Sequence, residues 1–178
     1  MFVQCPFRFV EPRSPIAELI TESFQPWLSA EPRRVLDLCS GGGCIGISCA
    51  LQFPEARVDL VDIDPAAVAL CQQNMARHEL GDRIRTFTGN LYDPLPVPID
   101  DSQDDTYDLI VSNPPYVPSA DSQARPAEFL HEPELAYDGG VTGMDLVAGI
   151  FAGAARFLAP GGLLVVEVGQ WADVVEEQ

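Results

Sequence analysis

The chain has 178 residues, 47% of them apolar and 21% charged, a soluble globular composition of one domain's length that can bury a core. No apolar run approaches the ~20 residues of a membrane span, and the start "MFVQCPFRFVEPRSP" lacks the basic region and apolar run of a secretion signal. With 27 acidic residues against 10 scattered basic ones, the net charge of −17 opposes direct DNA binding; it attracts a basic macromolecular partner or serves solubility alone.

In chain order, "SPIAELITESFQPWL" (14–28) reads as an amphipathic lead-in helix, so 1–31 form an extended segment plus helix and 32–178 the core. "RVLDL" (34–38) is a first strand, which meets "CSGGGCIG" and the helix "CIGISCALQF". A second strand lies in "ARVDLVDID"; Asp64 then caps a helix with Pro65 in its first turn, and Gly81 is its expected stop. "RIRTFTG" and "TYDLIVS" (106–112) are the third and fourth strands, and the acidic "DDSQDD" (100–105) before the latter is a solvated loop. Residues 117–140, rich in Pro, Glu and Gly, form a connection long enough to be functional or disordered. "GMDLVAGIFAGAARFLAP" has helical spacing ending at Pro160, and "GGLLVVEVG" is a fifth strand apolar enough for burial on both faces. Strands alternating with helices imply a parallel, doubly wound α/β sheet of the Rossmann-like kind. The cysteines (Cys5, Cys39, Cys44, Cys49, Cys71) contain no C-x-x-C pair, and His78 and His131 stand apart, so reduced thiols in a cytoplasmic protein are expected and a metal site is not.

Two stretches carry chemistry. A glycine turn between strand and helix leaves amide N–H groups facing a ligand, and Gly41 and Gly43 allow close approach, although tight strand–helix packing is the alternative explanation of such a turn. Asp62, 21 positions after Gly41, lies where an acid accepts ribose hydroxyls. Asp37 adds a second carboxylate, so a cationic ribonucleoside fits better than a pyrophosphate; S-adenosylmethionine answers that description. Asn90 suits either adenine recognition or a turn.

"DLIVSNPPYVP" (108–118) is the other stretch. Two prolines end the strand in a rigid corner. Asn113 Oδ1 and the Pro114 carbonyl can each accept one N–H of a substrate NH₂, turning its nitrogen lone pair toward a methyl donor over the glycine turn. Tyr116 would pack on the flat acceptor group.

With these motifs the chain resembles the class I S-adenosylmethionine-dependent methyltransferases, and among them the HemK-like protein-glutamine N5-methyltransferases. The resemblance rests on "PRSPIAELI" (12–20), "VLDLCSGGGCIGI" (35–47), "VDLVDIDPAAV" (58–68), "YDLIVSNPPYV" (107–117) and "HEPELAYDGGVTGMDL" (131–146). It implies a substrate corner of Asn113, Pro114, Pro115 and Tyr116, with Asn113, Pro114 and Tyr116 catalytic. The implied cofactor set is Asp37, Cys39, Gly41, Gly43, Asp62, Ile63, Asn90, Leu91 and Asn113, with no metal. "PRSPI" and "HEPELA" look most like the branch acting on the third large-subunit ribosomal protein, with a peptide-chain release factor as the other acceptor. Asn90 and Cys39 depart from the commoner acid and glycine. The family also has a helical domain before "PRSP" and two strands after the fifth, so a sheet truncated at its C-terminal strands is expected. An adenine-N6 nucleic-acid methyltransferase and a non-catalytic cofactor-binding module are the rival readings. The roles of Arg13, Glu132 and Glu134 stay open.

Overall fold

The computed structural model describes residues 14–97, 106–118 and 139–169. Arg13, His131, Glu132, Glu134, Cys5, the 100–105 loop, most of the 117–140 connection and the segment after 169 lie outside the described residues. Their elements run α1 (Ile16–Thr21), β1 (Arg34–Leu38), α2 (Cys44–Gln52), β2 (Arg57–Asp62), α3 (Pro65–Arg77), β3 (Ile84–Thr88), β4 (Tyr107–Ser112), α4 (Asp145–Phe157) and β5 (Leu158–Val166). All strand pairs are parallel, in the order β3-β2-β1-β4-β5. The chain starts in the middle, runs out to one edge, then returns to the other side of β1. That reversal opens a crevice between the carboxyl ends of β1 and β4, where open α/β sheets bind ligands.

Alternation along each strand feeds two cores. Val35, Val58, Leu60, Leu109 and Val111 pack with Ile47 and Ala50 of α2, Cys71 and Met75 of α3, and Ile16, Ile20 and Phe24. Leu36, Leu38, Val61 and Ile110 point the other way, toward Ile150 and Phe157 of α4 and toward Tyr92 and Leu95. β1 is therefore apolar on both faces because it is covered on both, as the doubly wound expectation requires.

Three local expectations are corrected. The lead-in helix is a six-residue helix followed by turns, because Phe24 takes a positive φ to bury its ring. Gly81 does not stop α3: Glu79 takes the left-handed position, and the Leu80 amide closes back on the Met75 carbonyl at 3.1 Å. β5 is not buried on both faces. It begins at Leu158, ahead of Pro160, and stands half-buried at the edge of the described sheet.

At the amino end of the sheet, buried Asp59 links four strands. Its Oδ2 accepts from the Tyr107 hydroxyl (2.7 Å), Arg85 Nη2 (2.7 Å) and Arg34 Nη2 (3.3 Å), and its Oδ1 from Arg85 Nε (2.8 Å). Asp108 adds acceptors for the amides of Arg33 and Arg34 at 2.7 and 2.9 Å. These polar contacts set the ends of the strands opposite the crevice.

Candidate functional site

The glycine turn follows β1, and each part of it has a separate reason. Cys39 and Gly41 have φ values of 57° and 53°, which reverses the chain. Gly43, with φ 83°, caps α2, and a Cβ there would stand 2.6 Å from Cys71 Sγ. One turn on, a Cβ at Gly46 would lie 2.0 Å from Leu60 Cδ2 and 3.1 Å from Asp37 Oδ2. Gly41 alone faces open space, with nothing within 4 Å of a Cβ placed there. Packing thus explains Gly43 and Gly46, while Gly41 leaves room for a ligand.

Asp62 ends β2 and braces the turn. Its Oδ2 accepts from the Gly41 amide at 2.7 Å and its Oδ1 from the Asp64 amide at 2.9 Å; Asp64 in turn caps α3 through the Ala66 amide at 2.8 Å. Burial raises the Asp62 pKa and these backbone donors oppose the rise. With the Ile63 amide as a third backbone donor, about one of the four acceptor sites of the carboxylate is left for a hydroxyl. Ile63, 55% exposed beside it, offers an apolar surface for a flat ring.

Asp37 is fully buried and accepts from the Gly46 amide at 2.8 Å. Burial pushes its pKa up to about 8, with that amide opposing and the Asp62 charge adding. It therefore holds its proton near neutrality, so the carboxylate charge assigned to it in the sequence depends on what approaches. Cys39 is pushed up to about 12 by burial and then by Asp62, and Cys71 to about 12 by burial; both thiols are neutral and neither is a nucleophile at neutral pH.

Asn90 and Leu91 lie past β3. Asn90 is exposed and its carbonyl accepts from Asp93 at 3.0 Å, a turn, while the Gly89 amide ties the segment to the Asp62 carbonyl at 3.0 Å. Leu91, φ 45°, turns its side chain to α4, where a Cβ on Gly149 would meet it at 2.7 Å. Asn90 is therefore placed near the carboxyl end of β2, and the Leu91 side chain belongs to the packing against α4.

The proline corner follows β4, next to β1. Ser112, buried, donates its hydroxyl to the Leu38 carbonyl at 2.8 Å and so holds the two strand ends together. Pro114 is buried, and Asn113, Pro115 and Tyr116 are half-buried. The Gly139 amide donates to the Val117 carbonyl at 2.8 Å; a Cβ on Gly139 would stand 2.8 Å from Tyr116 Cα, and one on Gly143 2.7 Å from the Tyr116 carbonyl oxygen. Only glycines let these segments close on the corner.

Two residues of this site were missed in the sequence. Asn74 on α3 is fully buried and donates Nδ2–H to the Gly42 carbonyl at 2.9 Å. Its signal was there: a polar residue three and four positions after Cys71 and Leu70, on the apolar stripe. Ser40 gave no comparable signal. Its hydroxyl oxygen and Asp37 Oδ1 are buried without a hydrogen-bond partner, both at the turn. Buried polar atoms ordinarily find partners, so the pair fits a ligand with donors of its own, such as the ammonium end of a cationic nucleoside. Among the described residues no cluster suits a metal ion, and no helix is long and apolar enough to cross a membrane.

The chain is 44% identical over 171 residues to a ribosomal protein uL3 glutamine methyltransferase of Bordetella pertussis, covering 95% of this chain and 55% of that protein. It is 43% identical over 164 residues to one of Francisella tularensis, covering 91% and 50%. The chain thus spans about half the length of these relatives. Among solved structures, an S-adenosylmethionine-dependent methyltransferase of Geobacter sulfurreducens in complex with S-adenosyl-L-homocysteine shares the fold with TM-score 0.51 at 20% identity, over 92% of this chain and 54% of that one. A ribosomal protein L11 methylase of Lactobacillus delbrueckii subsp. bulgaricus shares it with TM-score 0.52 at 20% identity, over 85% and 57%. With residues 17–172 matching the model of the methyltransferase small domain, the chain belongs to that family.

Proposed function

We propose that the chain carries the catalytic core, residues 32–178, of an enzyme transferring a methyl group from S-adenosylmethionine to the side-chain amide nitrogen of a glutamine in ribosomal protein uL3. One observation carries this reading: the glycine turn after β1 and the Asn113–Tyr116 corner after β4 sit at the same edge on neighbouring strands. The names of the relatives support the acceptor. The net charge of −17 suits a basic ribosomal protein. Acting on a ribosomal protein also implies a cytoplasmic setting.

When bound, the cofactor supplies an electrophilic methyl on a sulfonium. The residues do the rest. Gly41 leaves space above the turn, Asp62 would accept ribose hydroxyls, and Ile63 and Asn90 would flank the base. Asp37 Oδ1 and Ser40 Oγ would hold the ammonium end. An acceptor amide has its nitrogen lone pair delocalised into its carbonyl and is a poor nucleophile. Asn113 Oδ1 and the Pro114 carbonyl each take one of its N–H groups, which favours the tetrahedral nitrogen formed during attack. Because the prolines hold both acceptors in advance, little reorganisation remains, and such orientation contributes up to ~7–11 kcal/mol. Pro115 stiffens the corner, and Tyr116 supplies a ring for the flat amide.

The test is transfer of labelled methyl from S-adenosylmethionine to purified uL3, release factor and duplex DNA in competition. Label on a uL3 glutamine is the expected result. Label on release factor would move the acceptor, and label on DNA would overturn the amide reading. Cofactor binding without transfer to any of them would make this chain a binding module.

A further inference from the structure

A contact at the acceptor corner has no part in the reading above, on which the following inference rests. Ser112 pairs with Val166 at the end of the β4–β5 ladder, and the Glu167 amide donates to the Ser112 carbonyl at 2.9 Å. Pairing therefore runs one step past β5 and sets Glu167 beside Asn113. The Glu167 carboxylate accepts from the Ser14 hydroxyl, Oγ to Oε2, at 2.5 Å. Ser14 is buried, and its Oγ also accepts from the Ile16 amide at 3.2 Å. Its rotor is thus fixed, with the single hydroxyl proton committed to Glu167.

Two residues past Glu167, the same segment meets Tyr116. Burial and then the Glu167 charge raise its phenol pKa. Its ring rests on Gly169, where a Cβ would come within 2.7 Å of Cε2. A hydroxyl from the segment before α1, a carboxylate past β5 and the aromatic ring of the acceptor corner form one series across nearly the whole described chain.

We propose that Glu167 is a positioning residue of the acceptor corner: held by Ser14 and paired to Ser112, it fixes the strand extension whose Gly169 lies against the Tyr116 ring, and so sets how tightly the acceptor amide is gripped. Without the Ser14 hydroxyl the carboxylate loses its charge-assisted donor and can swing toward water. The extension that carries Gly169 is then held less firmly against the ring. Cofactor binding, on the β1 and β2 side of the crevice, does not depend on the contact.

The test compares wild type, Ser14→Ala, Glu167→Gln and the double variant, with Ser14→Thr as the rescue that restores a hydroxyl. With uL3 as acceptor, KM is expected to rise about tenfold in each single variant, and the double variant to be no worse, since both remove one contact. Ser14→Thr is expected to return KM to within about threefold of wild type, while calorimetric cofactor affinity stays within about twofold throughout. An unchanged KM in Glu167→Gln, or additive losses, would overturn the assignment; a purely structural contact would lower melting temperature and leave KM alone. A second readout is free of transfer: tyrosine ring carbons are labelled, Tyr116 is assigned with Tyr116→Phe, and its phenol is titrated by NMR. The midpoint should fall toward that of an ordinary tyrosine in Ser14→Ala and Glu167→Gln. A midpoint unmoved in both refutes the contact regardless of activity. A moved midpoint with no transfer by wild type supports the contact and refutes the uL3 reading instead.

Discussion

At the scale of single residues, Asn113 and Asp62 should fail in different ways. In the proposed reaction Asn113 offers its amide oxygen to an acceptor N–H, so Asn113→Ala should abolish transfer while cofactor affinity, measured by calorimetry, changes little. Lost affinity would reassign the residue to the cofactor. Asp62 braces the Gly41 amide as well as facing the ribose side. Asp62→Ala should therefore weaken cofactor binding by about 1.5–3 kcal/mol, the range for hydrogen bonds to a charged group; unchanged affinity would move the ribose site. Asp37 makes a statement about pH. Its folded pKa, about 8, lies above the ordinary 3.8, so between these values the folded chain holds a proton that the unfolded chain has released. The stability it contributes is full below the lower value and lost as pH rises toward the upper one. Urea melts without ligand should show stability falling with pH across this window, with a share from Asp37 no steeper than ~1.4 kcal/mol per pH unit. Asp37→Asn should flatten that share; an identical slope in the variant would mean the carboxyl is ionised throughout.

Elements are held by contacts that a single methyl group can upset. In α2, Gly46→Ala would drive a Cβ to 2.0 Å from Leu60 Cδ2, pushing the helix off β2 and crowding Asp37. Overpacking of this kind costs about 1–3 kcal/mol, and here cofactor affinity should fall as well. At Gly41 there is open space but φ is +53°, so Gly41→Ala should cost only about 1–2 kcal/mol of backbone strain. Thermal melts of the two variants distinguish the cases; equal losses would mean that the helix has room to move. On the opposite edge, Asp59→Ala would leave the Tyr107 hydroxyl and the largely buried Arg34 without their carboxylate. Removing one partner of a buried charged network costs about 3–5 kcal/mol. Because Arg85 is more than half exposed, the lower end is expected.

For the molecule as a whole, the exposed acidic field would attract the proposed basic acceptor across solvent, whereas the small cofactor would meet carboxylates buried in the crevice, which salt screens much less. Raising salt screens exposed charges beyond ~8–10 Å, so KM for uL3 should climb between low and physiological salt while cofactor affinity holds. A flat KM would assign recognition to apolar contacts. The parallel pairing and the elements that bear the two candidate stretches were legible in the chain because each rests on local patterns: alternating elements, glycines after a strand, prolines ending one. The half-burial of β5 was not, since an apolar run reads alike whether one face is covered or both. Gly81 misled for a related reason: it is the residue that ends helices at least cost, yet the Leu80 bond to Met75 placed the left-handed turn at Glu79.

The sequence by itself determined the class of fold, the glycine turn, the acid after β2 and the proline corner, because short-range sterics and spacing dictate them. Only the tertiary structure decided which buried atoms are left for a ligand. Asp37 Oδ1, Ser40 Oγ and the Glu167 carboxylate held by Ser14 owe their surroundings to desolvation and to neighbours up to 153 positions away. Burial and long-range contact are properties of the packed chain, and no local pattern encodes them.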